Sequence, residues 1–191
     1  PTLPKNGGSI TAGGTYTMEG GPYTGTITVE VEDGKDVIIN ITGNVTTNIN
    51  AALIKVAKGH VTINGGTATL KNTNTQNGYI YPKALIALSG ADENTTVEIN
   101  GGTYIKEAGP AAECSFGGVG TLTINSGTFE TKTGGAVVNN SSLYQEVPAV
   151  MQIEEGTFIG QTDDSYALEN YGTTIINNGE FKSKYYGIKN S

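Results

Sequence analysis

The sequence contains no arginine and no tryptophan, and it has only one cysteine and one histidine among 191 residues. All 11 basic residues are therefore lysines, and 18 acidic residues give a net charge of −7. Nucleic-acid affinity depends on neutralised phosphates, and anionic membranes attract basic segments, so neither is an expected partner. The single cysteine, Cys114, excludes an intrachain disulfide and a cysteine-rich zinc site.

Long apolar runs and helical periodicity are also missing. No run approaches the about 18 residues of a membrane span, and no segment carries a sustained apolar stripe at the helical period. The chain has 28 glycines, and its Thr, Val, Ile and Tyr residues favour strands while Gly and Asn favour corners. The composition predicts an all-β protein. Because the chain starts at Pro1 rather than Met, we expect a mature or excised piece of a longer product.

A seven-residue motif is the dominant pattern. Residues 61–67 read Val-Thr-Ile-Asn-Gly-Gly-Thr; residues 97–103 and 122–128 repeat them closely, and residues 151–157 and 174–180 repeat them loosely. Such repetition predicts a solenoid. Corner glycines mark seven turns at steps of 23 to 36 residues: Gly14, Gly43, Gly66, Gly102, Gly127, Gly156 and Gly179.

Each turn reads as three strands: the first ends at the marker glycine, the second follows it, and the third begins at a small residue. The second strand of the opening turn is assigned to residues 16–18. A single domain over residues 1–191 is expected, irregular over 1–50, regular over 51–191 and ending inside a repeat.

Stacked turns should place similar residues above one another. The predicted columns include Ile63, Ile99, Ile124, Ile153 and Ile176; Val61, Val97, Leu122 and Met151; Tyr104, Phe129, Phe158 and Phe181; Asn64, Asn100, Asn125 and Asn177; and Asn139, Asn170 and Asn190. The apolar columns are interpreted as core, and the asparagine columns as structural ladders.

These repeats resemble the right-handed parallel β-helix, the superfold of pectate lyases and of many bacterial secreted and surface proteins. Residues 10–17 and 37–41 are similar to carbohydrate-binding β-helix domains of secreted bacterial proteins. The resemblance implies a single-stranded right-handed solenoid with about seven turns and three strands per turn. It also implies an extracellular or bacterial cell-surface location.

Loops at the edges of a solenoid usually carry binding. The longest loop, residues 72–82, holds Tyr79, Tyr81 and Asn77, and a second long loop holds Tyr144. Aromatic rings pack on sugar C–H groups and amides reach hydroxyls, so these residues are the predicted carbohydrate contacts. Tyr185 and Tyr186 are comparable. The alternative is that the rings fold back to cover the solenoid edge.

Adjacent carboxylates at Asp163 and Asp164 are the one candidate metal site, for Ca²⁺. The alternative is a solvated acidic turn, and no other cofactor is expected. Cys114 is assigned to an apolar column with Ile54, Ile86 and Val138, where it would be an inert core thiol.

The catalytic groups of the superfold have no clear counterpart. Pectate lyases commonly use an arginine base, often with Ca²⁺, and this chain has no arginine. Its lysines show no evident acidic cluster. The related hydrolases use three aspartates with a histidine and an Arg-x-Lys segment; only residues 161–164, Gln-Thr-Asp-Asp, resemble any of it, and His60 is far along the axis.

Three functions remain open from the sequence. The leading one is a non-catalytic module for carbohydrate binding or surface adhesion. The second is a polysaccharide lyase or hydrolase acting on uronate-rich glycans. The third is a structural stalk segment, which would associate end to end or continue in a longer parent protein.

Overall fold

A computed structural model of the chain describes residues 1–72, 84–141 and 146–191, without the side chains of Thr67, Ala68 and Asn72. The strands are β1 (Gly8–Ile10), β2 (Gly14–Tyr23), β3 (Ile27–Glu30), β4 (Asp36–Thr47), β5 (Ile54–Lys58), β6 (His60–Asn72), β7 (Ile86–Leu88), β8 (Thr96–Lys106), β9 (Ala112–Cys114), β10 (Thr121–Thr131), β11 (Gly134–Asn139), β12 (Val150–Ile153), β13 (Thr157–Gly160), β14 (Ser165–Asn170), β15 (Thr173–Ile176), β16 (Glu180–Lys182) and β17 (Ile188–Asn190). The described residues contain no helix, so the predicted all-β class is confirmed.

Two parallel sheets contain all of these strands. One has eight short strands in the order β1-β3-β5-β7-β9-β11-β14-β17. The other has nine, with β2, β4, β6, β8 and β10 in sequence order, then β12 and β13 side by side on β10, and β15 and β16 beyond them. The chain therefore alternates between the sheets, and each sequence repeat adds one layer to both.

The predicted isoleucine column is confirmed residue by residue. Ile63 pairs with Ile99, Ile99 with Ile124, Ile124 with Ile153, and Ile153 with Ile176. The first four side chains are fully buried, while Ile176, in the last repeat, is 39% exposed. The motif thus places one isoleucine per repeat in a single column, which faces the core in the first four of these repeats.

The predicted aromatic column is confirmed as well. Its rings stack with centroids 5.0 Å apart between Tyr104 and Phe129, 5.3 Å between Phe129 and Phe158, and 4.9 Å between Phe158 and Phe181. The first three rings are fully buried. Because each ring is covered by those above and below, no single repeat could bury its own aromatic residue.

The predicted asparagine ladder lies at the bend of the long strands. The Asn64 amide donates to Asn40 at 2.9 Å, that of Asn100 to Asn64 at 3.2 Å, and that of Asn125 to Asn100 at 2.8 Å. Asn177 instead donates to the carboxylate of Glu154 at 2.8 Å. In the other predicted column Asn139 pairs with Asn170 and Asn170 with Asn190, as expected.

Substituting Asn100 with alanine should lower the free energy of unfolding by about 1–2 kcal/mol, because two amide hydrogen bonds of the ladder are lost. Urea unfolding followed by circular dichroism measures the change. Asn177→Ala is the matched control, and its exposed side chain predicts a change within about 0.5 kcal/mol. Equal losses for both variants would contradict a structural role for the ladder.

The predicted division into three strands per turn differs from the observed pairing. In β6, β8 and β10 the first and second predicted strands form one long strand, and they separate as β12 with β13 and β15 with β16. The pairings of β8 with β6 and with β10 shift register at the bend, where Gly66, Gly102 and Gly127 have φ values of 47°, 95° and 130°. These glycines allow the strands to bend at a β-bulge, and the pairing between neighbouring strands resumes after it.

Two register assignments were wrong. Gly14 pairs with Val37 and Tyr16 with Ile39, so residues 16–18 belong to the first predicted strand, and the irregularity lies between Glu19 and Gly21. The opening segment around Gly14 lacks the complete seven-residue motif, so its sequence is compatible with either alignment to the later repeats.

The second error is the column of Ile54, Ile86, Cys114 and Val138. Ile54 does pair with Ile86, but Cys114 pairs with Leu88 and Asn139, and Val138 pairs with Glu113. All three residues of β9 are buried. Apolar alternation therefore does not reveal the phase of this strand.

The two ends of the stack differ. At one end Leu3 is buried, its N–H donates to the carbonyl of Thr17 at 2.8 Å, and the Lys5 ammonium donates to the carbonyl of Gly20 at 2.7 Å. At the other end β15, β16 and β17 pair on one side only. Ile188, in the column of buried Leu168, is 45% exposed there.

Candidate functional site

The four predicted carbohydrate contacts Tyr79, Tyr81, Asn77 and Tyr144 lie outside the described residues. Their assignment therefore stays a prediction. Tyr185 and Tyr186, the comparable pair near the end of the chain, are described.

Both of these rings face solvent. Tyr185 is 64% exposed and Tyr186 is 69% exposed, in the turn between β16 and β17. The Lys184 ammonium lies 5.7 Å from the centroid of the Tyr185 ring, within cation–π range. The local sequence explains this placement, because Phe181 points inward to its column and the chain then turns at the edge. The two rings are available for contact and do not cover the edge.

The predicted metal pair lies on the same edge, one repeat earlier. The Asp163 carboxylate forms an ion pair with Lys184 at 2.6 Å, and the Asp164 carbonyl accepts a hydrogen bond from the Gly134 N–H at 2.9 Å. Among residues 1–72, 84–141 and 146–191 no group of three or more His, Cys, Asp or Glu side chains is placed to hold a metal ion. The Ca²⁺ assignment stays a prediction. In this structure the Asp163 carboxylate is paired with the Lys184 ammonium, with which a cation would have to compete.

Three lysines of the last repeat are each paired with a carboxylate. Besides Lys184 with Asp163, Lys182 pairs with Glu180 at 2.9 Å and Lys189 with Glu169 at 2.6 Å. The hydrogen bond to Glu169 is the main reason that the pKa of Lys189 is raised. The outer surface of the last repeat therefore carries charges of both signs in close pairs, of which Lys184–Asp163 is the one beside Tyr185.

An open polar cleft of about 470 Å³ runs along the bend of the last three repeats. Its walls present hydroxyl, amide and carboxylate groups. They are Ser126, Thr128, Glu155, Thr157, Asn178 and Glu180, together with the corner glycines Gly127, Gly156 and Gly179. Glu180, which lines the cleft, is the ion-pair partner of Lys182.

One lysine does lie beside a carboxylate in the interior, which the sequence did not indicate. Lys106 is only 2% exposed and Glu113 only 8% exposed. Burial lowers the pKa of Lys106 to about 8, and the charge of Glu113 opposes that shift. Glu113 also accepts a hydrogen bond from Ser115 at 3.0 Å. A polysaccharide on the surface cannot reach this buried ammonium, so Lys106 is not positioned to act as a base on such a substrate.

Cys114 is buried as expected, although in a neighbouring column. Burial raises the pKa of its thiol, and the charge of Glu113 raises it further. A nucleophilic cysteine needs a lowered pKa and access to solvent, so this thiol is a core residue.

Sequence reasoning missed Phe116. Its side chain is 74% exposed on the opposite edge, between β9 and β10. The available signal was an aromatic residue directly before Gly117 and Gly118 at a corner, where no strand pairing would turn it inward.

Comparisons with protein-family models, with curated proteins and with solved structures each returned no match. In the described part of the chain no helix is long and apolar enough to span a bilayer.

Proposed function

We propose that this chain is a right-handed parallel β-helix of about seven turns, serving as a non-catalytic extracellular module that binds carbohydrate or mediates adhesion. The strand order supports the architecture, because one chain alternates between two parallel sheets whose strands follow in sequence order. Crossovers between parallel strands of one sheet are right-handed in about 98% of cases, which supports the hand. Of the three strands per turn, the first and second are the two halves of a long strand that bends at a glycine. The third is a short strand of the other sheet.

The observation that carries the binding function is the exposed pair Tyr185 and Tyr186 beside the Lys184–Asp163 ion pair. A sugar presents apolar C–H faces and hydroxyl groups at once, so its recognition combines an aromatic ring with polar groups nearby. The cleft at the bend of the last three repeats presents further polar groups, which suits a ligand with regularly spaced hydroxyls.

Lyase activity on uronates is the rival reading. It requires a base that reaches the polymer. The lysine whose pKa is lowered, Lys106, is buried, whereas the exposed lysines of the last repeat are in ion pairs. These facts favour binding over elimination, and release of unsaturated products from uronates would reverse that preference.

The double variant Tyr185→Ala with Tyr186→Ala should weaken glycan binding about 30-fold, taking about 1 kcal/mol of packing for each ring. A glycan array would identify the ligand, and titration calorimetry would measure the loss. Phe116→Ala is the matched control, because it removes an equally exposed ring from the opposite edge. No glycan binding by the wild-type protein, or equal loss in the control, would reject this site.

A structural stalk that associates end to end is the second candidate, and the exposed Ile176 and Ile188 of the last repeat favour it. Unpaired edge strands with apolar residues invite further pairing. Sedimentation velocity over a range of concentrations should show self-association in the wild type and a monomer in Ile188→Asp. Ile38→Asp, at an exposed isoleucine away from this end, should behave as the wild type. A concentration-independent wild-type monomer would contradict the stalk.

A further inference from the structure

The charges around Tyr185 and Tyr186 are already neutralised by one another. Within residues 180–191 the lysines are Lys182, Lys184 and Lys189, and all three are paired with carboxylates at 2.6 to 2.9 Å. A binding site for an acidic polymer needs cations whose charge is not yet balanced, because each anionic group must gain a partner on binding.

An acidic sugar at this site would compete with the protein's own carboxylates. For its carboxylate to reach Lys184, Asp163 would have to lose its ion-pair partner and remain next to a second negative charge. Glu155 and Glu180 line the cleft at the bend of the last three repeats, and the chain carries a net charge of −7. Like charges placed side by side disfavour the wrong partner strongly.

We propose that the glycan bound at this site is neutral, and that uronate-bearing polymers are excluded by the paired charges; this rests on the proposed carbohydrate-binding function. A neutral hydroxyl can donate to the Asp163 carboxylate and accept from the Lys184 ammonium without separating the pair. Tyr186, the more exposed ring and the one with no ammonium over it within the described residues, provides the stacking face for the C–H groups.

The first experiment compares polymers of the two classes. Affinity electrophoresis would use neutral polymers (xylan, galactan, mannan and mixed-linkage glucan) against polygalacturonate and alginate, at 50 and 500 mM NaCl, with CaCl₂ or EDTA. At least one neutral polymer should bind through Tyr185 and Tyr186. Its affinity should change less than about two-fold between the two NaCl concentrations. Both polyuronates should bind at least about ten-fold more weakly.

The outcomes separate the two proposals. Tyrosine-dependent binding of a polyuronate, with or without Ca²⁺, would overturn the neutral-ligand inference and leave carbohydrate binding intact. Failure of every polymer to bind would overturn carbohydrate binding and this inference with it.

A second experiment tests the paired charges directly. Asp163→Asn leaves Lys184 without its carboxylate, so affinity for polygalacturonate should rise at least about five-fold at 50 mM NaCl and fall back at 500 mM. The matched control is Asp33→Asn, which makes the same charge change at the distant pair Lys58–Asp33. Neutral-polymer binding should stay within about two-fold in Asp33→Asn, whereas Asp163→Asn also loses the carboxylate that accepts from the sugar hydroxyl. Equal polygalacturonate binding by the two variants would overturn the role assigned to Asp163.

Discussion

Replacing Phe129 with alanine is expected to lower the free energy of unfolding by about 3–5 kcal/mol, the largest effect of any single change considered for this protein. The ring is fully buried between Tyr104 at 5.0 Å and Phe158 at 5.3 Å. Its removal leaves a cavity that two rigid neighbouring repeats cannot close, and it uncovers a ring face on each side. Denaturant unfolding, followed by both circular dichroism and tyrosine fluorescence, would measure the loss.

Phe181→Ala is the matched control for this cavity. Phe181 belongs to the same column but has one ring neighbour, Phe158 at 4.9 Å, and it is only partly buried. Its loss should cost less than half as much. Equal costs at Phe129 and Phe181 would show that the stack of repeats does not bury the column in the way described above.

The second large effect concerns pH. Lys106 has a pKa of about 8 in the folded chain against the ordinary 10.5, chiefly because it is buried. Between these values the unfolded chain binds more protons than the folded one, so the free energy of unfolding rises with pH. Integration over pH 7 to 9.5 gives a rise of about 2 kcal/mol from Lys106 alone. The buried Cys114 thiol, whose pKa is raised, opposes this rise over the same range because it ionises only in the unfolded chain.

Equilibrium urea unfolding at several pH values would measure this rise, and Lys106→Met should remove most of it. The informative quantity is the slope against pH, since the substitution also leaves Glu113 without the charge of Lys106. Lys132→Met, at a lysine whose side chain is half exposed, should keep the wild-type slope. Equal slopes from pH 7 to 9.5 in the wild type and in Lys106→Met would refute the buried, weakly basic lysine.

The inward columns could be predicted without coordinates because the repeat itself encodes them. Ile63, Ile99 and Ile124 occupy the same place in successive motifs, and parallel strands in register must place them above one another. The same logic gave the ring column through Phe129 and the ladder through Asn100. The predicted strand register was wrong in two places. The motif is absent around Gly14, and both faces of the strand that contains Cys114 are buried.

The site divides in the same way. The aromatic character of Tyr185 and Tyr186 is visible in the sequence, but their exposure depends on what the neighbouring repeat places against them. The partner of Lys184 lies 21 residues earlier, and no local pattern joins that lysine to Asp163.

The sequence alone determined an all-β chain of stacked repeats and the residues that face inward, because a periodic motif forces equivalent residues into vertical contact. Only the tertiary structure decided which lysines are paired, which one is buried, and which rings remain open to a ligand. Those properties depend on contacts between repeats that differ in loop length and corner residues, and such differences are not periodic.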